Sequence, residues 1–219
     1  MKTNLTIVAL GATLLVACGP SEAEQKAARE KAIQDSIAAA AGAEHTYTVD
    51  PTASNVRWAG NVTGSKVYGH FGTVALNSGS FSVKGGQLAT GTFEVNLKAI
   101  TPLDSNYAPD GSKEGTKAAL IGHLSTGDFF QTDSFPTATF KVTSVEGNTA
   151  TGELTVKGRT NTEKVTDIAI TEENGMAKAT GKLVFDRQKY NVAWKHFIKD
   201  AVLSDNIELE ISLSGKAAQ

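Results

Sequence analysis

The chain has 219 residues, with 21 Lys and Arg set against 23 Asp and Glu for a formal net charge of −2. A balance this close excludes a surface built to neutralise nucleic-acid phosphates, so no nucleic-acid partner is expected. The single cysteine, Cys18, excludes a disulfide framework.

Met1-Lys2-Thr3-Asn4 leads into an apolar stretch from Leu5 to Ala17. One cation, a short apolar core and a small residue before the break are the parts of a secretory signal. The stretch is too short to cross a bilayer as a helix, which takes about 20 residues. Leu15-Val16-Ala17-Cys18-Gly19 looks like a lipobox, the motif cut before a cysteine that then carries lipid. Residues 1–17 are therefore expected to be a lipoprotein signal peptide and Cys18 the lipidation site, a membrane anchor. Gly19 follows the cysteine where an aspartate would retain the protein at an inner membrane. That favours the outer membrane, with the rest of the chain in the periplasm or at the cell surface.

Residues 18–45 read as a lipidated helical tether. Ser21 to Ala41 is rich in Ala, Glu, Lys and Gln without Gly or Pro, which favours helix by propensity alone. Ile33 and Ile37 are its only bulky apolar residues, and Lys26, Arg29 and Lys31 mix with Glu22, Glu24, Glu30 and Asp35. Such a helix stays solvated. It would span roughly 30 Å at 1.5 Å per residue. A short coiled coil or partner-binding helix is the competing reading.

Residues 46–219 are enough to bury a core. Strand follows strand. Val56, Trp58 and Val62 alternate with Arg57 and Asn61; Phe93, Val95 and Leu97 with Thr92, Glu94 and Asn96; Ala138, Phe140 and Val142 with Thr139, Lys141 and Thr143. Ala150, Leu154 and Val156, then Leu183 and Phe185, then Ile207, Leu209, Ile211 and Leu213 continue the pattern. Period-two alternation repeated along a domain means antiparallel sheet with one wet and one buried face. Asn77-Ser78-Gly79, Gly85-Gly86, Glu146-Gly147-Asn148 and Glu173-Asn174-Gly175 are expected as hairpin turns. The spacing predicts an all-β fold, a closed antiparallel barrel or a sandwich. Lys113 to Leu124 interrupts it as a short helix at one barrel end, beside Phe129, Phe130 and Phe135.

Several stretches together resemble the YceI family of exported barrels. They are Tyr47-Thr48-Val49-Asp50 with Ser54-Asn55-Val56-Arg57-Trp58, then Tyr68-Gly69-His70-Phe71-Gly72. Gly122-His123-Leu124-Ser125-Thr126-Gly127-Asp128-Phe129-Phe130 runs into Phe135-Pro136-Thr137-Ala138-Thr139-Phe140. Gly152-Glu153-Leu154-Thr155-Val156-Lys157-Gly158, Phe185-Asp186-Arg187 and Ser204-Asp205-Asn206-Ile207-Glu208-Leu209 follow in order. The chain departs from the family pattern at Arg159 to Thr162 and at Gln188 to Val192, both expected near loop ends.

The resemblance implies a closed, lipocalin-like barrel of about eight strands whose lumen holds a polyprenyl or quinone tail. A barrel of that size has an interior just wide enough for side chains or one slim ligand. Trp58, Phe93, Val95, Phe140, Leu154, Leu183 and Phe185 are the candidate lining residues. Arg187, just past its strand, is a candidate to meet a polar or phosphate head group, or to pair with Asp186. The small inward residues Gly60, Gly91, Ala138, Ala150, Ala179 and Gly181 favour a cavity. Their alternative is a filled barrel that serves as an interaction or envelope-stress module.

His45, His70, His123 and His196 lack the close spacing of a zinc site. No nucleophile elbow, phosphate loop or dinucleotide fingerprint is present. No catalytic residue, metal or enzyme activity is expected, and no cofactor other than an isoprenoid or quinone held as ligand.

Overall fold

The computed structural model describes residues 21–64, 68–195 and 200–218, and the chain divides into two compact units. The signal segment 1–17, the lipidation site Cys18 and His196 lie outside the described residues. In the first unit α1 (Glu22–Gly42) begins with a capping box: the Glu24 carboxylate accepts from the Ser21 N–H at 2.7 Å, and Ser21 Oγ accepts from the Glu24 N–H at 3.3 Å. The described side chains of this helix are exposed, as a solvated spacer requires.

The second unit is a nine-stranded antiparallel sheet that closes in a ring. Its strands are β1 (Glu44–Val49), β2 (Asn55–Gly64), β3 (Tyr68–Lys84), β4 (Gln87–Pro102), β5 (Thr137–Glu146), β6 (Thr149–Val156), β7 (Arg159–Glu173), β8 (Met176–Asp186) and β9 (Ala201–Ala217). From β2 to β9 each strand pairs with the next, and β9 pairs back with β2. β1 also lies between β3 and β9, in line with β2 and separated from it by the turn that begins at Pro51. Nine strands thus fill eight places around the ring. Glu44 and His45, read above as tether, already pair with Lys84 and Val83.

The turns at Gly85-Gly86, Gly147-Asn148 and Asn174-Gly175 fall where expected. Asn174 and Gly175 have φ of 51° and 73°, the signature of a type I′ hairpin.

Two sequence expectations are corrected and one strand is added. Asn77-Ser78-Gly79 is not a turn but the interior of β3, where the register slips between Leu76 and Ser78. Asn77 donates across to Glu94 Oε1 at 2.9 Å, and the extra residue is accommodated as a bulge. Arg159–Thr162 lies next to a loop end, as expected, but it is the start of a strand the sequence reading did not name, β7, directly after the positive-φ pair Lys157-Gly158. That strand escaped notice because two of its inward places hold Asn161 and Glu163 rather than apolar residues. Glu163 there accepts from the buried Tyr190 hydroxyl at 3.0 Å. The helix, α2 (Lys117–Ser125), starts later than predicted because Thr116 caps it, its hydroxyl accepting from the Ala119 N–H at 3.1 Å.

Two buried groups make the core. One, including Tyr47, Val49, Phe81, Val83 and Ala177, packs where β1 joins the ring, with Tyr47 stacked on Phe81 at 5.5 Å. The other gathers Leu124, Phe129, Leu154, Leu183, Phe185 and Tyr190 towards α2. Gly72, opposite Pro102, allows β3 and β4 to meet: an added Cβ would strike Thr101 O and lie 2.8 Å from Pro102 Cα. These are backbone atoms that cannot turn aside. Gly72→Ala is therefore expected to cost roughly 2–3 kcal/mol, read as a lower urea midpoint of unfolding.

Candidate functional site

The inward side chains of the ring, with α2 and the segment after it, enclose a cavity of about 240 Å³. Seating one water takes only about 10–15 Å³, so this is room for a ligand rather than a packing defect. Trp58 of β2, Phe93 and Val95 of β4, Phe140 of β5, Leu154 of β6, and Leu183 and Phe185 of β8 all border it. The sequence reading passed over Val74 and Leu76 of β3, because the bulge after Leu76 shifts the inward positions from even to odd numbers. It also left out Leu120 and Leu124, a turn apart on α2, and did not name Leu209, Ile211 and Leu213 as lining, although their alternation was plain.

What keeps the interior open is where the rings lie. Phe93 rests on Gly79 and Gly91, since a Cβ on Gly91 would be 2.8 Å from its Cε2. Phe140 covers Gly152 in the same way. Both phenyl groups are therefore laid along the wall. Gly91, expected to leave room, is instead filled by Phe93 and does not border the cavity, whereas Gly60, Ala138, Ala150, Ala179 and Gly181 do. Trp58 is held by its indole N–H, which donates to Thr73 O at 3.2 Å.

α2 and the loops around it cap one end of the ring. The His123 ring stands edge-on to Phe129 and Trp194 at 5.0 and 4.8 Å. Two buried cations fasten the backbone here. Lys157 Nζ donates to Gly127 O at 2.6 Å and Asn191 O at 2.8 Å. Arg187, 3% exposed, donates to the carbonyls of Val192, Trp194, Leu203 and Ser204 and to Asp205 Oδ1 at 3.0 Å. Those five bonds use all five guanidinium N–H groups. Arg187 pairs with Asp205 rather than Asp186, and has no donor left for a head group. Burial pushes its pKa down, against the opposing pull of Asp205 and Asp186.

A third polar cluster sits where β2 and β4 end and β3 begins. Asp104, with a side chain only 2% exposed, faces His70 Nδ1 at 3.1 Å. It also accepts from the N–H groups of Phe71 and Asn106, at 3.1 and 3.0 Å, and from the Tyr107 hydroxyl at 2.6 Å. Burial raises its pKa, but the bonds from Tyr107, His70, Asn106 and Phe71 together outweigh that and hold it below the ordinary carboxylate value. Tyr107 is pushed up, by burial first and then by Asp104. His70 borders the cavity.

The model of the YceI-like domain family matches residues 47–215. A UPF0312 protein of Staphylococcus aureus (strain bovine RF122 / ET3-1) is 35% identical over 106 residues, 43% of this chain and 60% of that protein. Another, from strain N315, is 34% identical over the same shares. The chain thus spans 60% of the length of these relatives. Among solved structures, BcnA of Burkholderia cenocepacia superposes with a TM-score of 0.56 at 19% identity, covering 76% of this chain and 98% of that one. A polyisoprenoid binding domain from Saccharophagus degradans, implicated in plant cell wall breakdown, gives 0.50 at 13% identity over 78% and 98%. At these identities the likeness is one of fold.

Two outcomes are expected. Arg187→Lys keeps the charge but cannot reach five acceptors, and should cost roughly 3 kcal/mol, read in thermal unfolding. Asp104 is stabilised as the carboxylate, so its contribution is present above the ordinary carboxylate pKa of about 4 and is lost as pH falls through its lower folded value. Asp104→Asn should therefore unfold at a lower temperature than the unsubstituted chain at neutral pH. The gap should narrow on acidification to about pH 3.

Proposed function

Because this chain belongs to the YceI-like domain family, we propose that its ring-shaped sheet holds one long apolar lipid of isoprenoid type, a polyprenyl or quinone tail. The observation that carries this is the cavity of about 240 Å³, lined almost entirely by apolar side chains. An isoprenoid tail filling it would be held through burial alone, at about 25 cal/mol per Å² of apolar surface. The structural neighbour from Saccharophagus degradans, a polyisoprenoid binding domain by description, supports the same ligand class. No step of the reading calls for catalysis.

The proposal extends to the N-terminus. The lipobox-like run ending at Cys18 supports an exported lipoprotein anchored in the outer membrane, with α1 as part of the tether. Metabolic labelling with a radioactive fatty acid should mark the full chain and be abolished by Cys18→Ala.

Native mass spectrometry of the purified full-length chain, with organic extraction of any adduct, tests the ligand directly. An adduct that extracts as a prenyl lipid or quinone is expected. A clean apo mass that stays unchanged after incubation with such lipids would replace this reading with that of an interaction module. Gly60→Leu offers a second route, since a Cβ there meets only Ile207 Cδ1, at 3.5 Å, and the longer side chain would reach into the cavity. Lipid uptake should fall about tenfold or more with the unfolding midpoint unchanged.

A further inference from the structure

Among the described residues, His70 is the one ionisable side chain that borders the cavity. It shares its inward parity on β3 with Val74 and Leu76. Its ring is clamped from both sides. Tyr107 stacks on it at 5.1 Å and 10°, and Tyr68 stands edge-on at 5.5 Å. Nδ1 faces Asp104, while no bond from a described residue reaches Nε2.

That arrangement sets the proton. Asp104 is ionised and already collects two backbone N–H groups and the Tyr107 hydroxyl, so the hydrogen-bond network assigns a proton to His70 Nδ1. In the neutral ring Nε2 is then an acceptor to which no described residue donates. The other polar group of an aromatic in this wall, the Trp58 N–H, is already given to Thr73 O. No lysine or arginine borders the cavity among the described residues, so a phosphate or carboxylate end would meet Asp104 without a compensating charge.

We infer that the cavity selects a lipid ended by a hydroxyl, an isoprenoid alcohol or phenol, whose O–H donates to His70 Nε2 while its tail fills the apolar interior. This rests on the lipid binding proposed above. Asp104 is the positioning residue, acting through the imidazole rather than on the lipid. The ligand lies tail-first, with its head at the end of the ring where β3 begins.

The test loads the full chain with three probes of one tail length: geranylgeraniol, a phenol carrying the same tail, and the hydrocarbon with that tail and no oxygen. A hydroxyl probe should bind about tenfold more tightly than the hydrocarbon, and which of the two leads identifies alcohol or phenol. His70→Phe keeps the stack on Tyr107 and should erase the preference while the hydrocarbon still binds. Equal binding of all three probes, or a preference that survives His70→Phe, overturns the role of His70 and leaves lipid binding intact. Failure of all three to bind removes lipid binding and this inference together. Should His70→Phe not fold, nitrogen NMR of the unsubstituted chain decides. The Nε2 resonance must move with the hydroxyl probe and stay with the hydrocarbon, and an unmoved resonance in the alcohol complex overturns the assignment.

Discussion

Where β9 meets β2, the register runs from Asn55 opposite Ser212 to Gly64 opposite Ala201, slipping once near Gly60. Without that contact the meander from β2 to β9 would be an open sheet with two rows of unpaired N–H and C=O groups at its edges. With it, every strand of the ring has a neighbour on each side, and the sheet acquires an inside lined mainly by apolar side chains. The length of β9 matters here. Its seventeen residues serve β2 and β8, and its last turn of sequence also takes up β1. β1 occupies the place that β2, with only ten residues, leaves vacant.

Closure creates an interior; side-chain placement keeps it from filling. Apolar strands folded into a ring of eight places would ordinarily pack their own side chains together at the centre. Here two inward phenyl rings lie against glycines, Phe93 on Gly79 of the neighbouring strand and on Gly91 of its own, Phe140 on Gly152 of the strand beside it. Bulk is carried in the wall rather than across the lumen. The bulges contribute in a different way, since each extra residue switches which parity faces inward and lets long strands such as β3 and β4 coil with the ring.

The capped end faces the opposite problem. Loops that leave the sheet carry carbonyls without ladder partners, and burying those unpaired is costly. Lys157 and Arg187 answer this with cationic donors that bind six carbonyls between them. A desolvated cation is itself unfavourable, so Arg187 uses every one of its donors and Lys157 bonds two carbonyls. These charges hold the cap together. His70 differs from them, because its carboxylate partner occupies one nitrogen of a ring that borders the cavity, and no described residue bonds the other.

Much of this was legible in the chain before any coordinates. Alternation in β2, β4, β5, β6, β8 and β9 named the inward residues correctly because a period of two needs no knowledge of the partner strand. Turn pairs such as Asn174-Gly175 were legible because positive φ is a local demand on residue type. The seven lining candidates come from such strands, and all seven border the cavity. By contrast, β7 hid because Asn161 and Glu163 are polar for the sake of Lys189 and Tyr190, which lie distant in sequence. Asn77-Ser78-Gly79 has turn chemistry but is paired through by β4, and the tertiary ladder overrides the local preference. Arg187 offers no local sign of its five acceptors, three of which, on Leu203, Ser204 and Asp205, lie on β9 and come near only when that strand joins β8. The sequence by itself determined the strands whose neighbours are mutually apolar and the turns between them. Only the tertiary structure decided where parity shifts, which polar groups meet, and that His70 and Asp104 come together at the cavity wall. Those facts depend on register between strands, a property no single stretch of chain possesses.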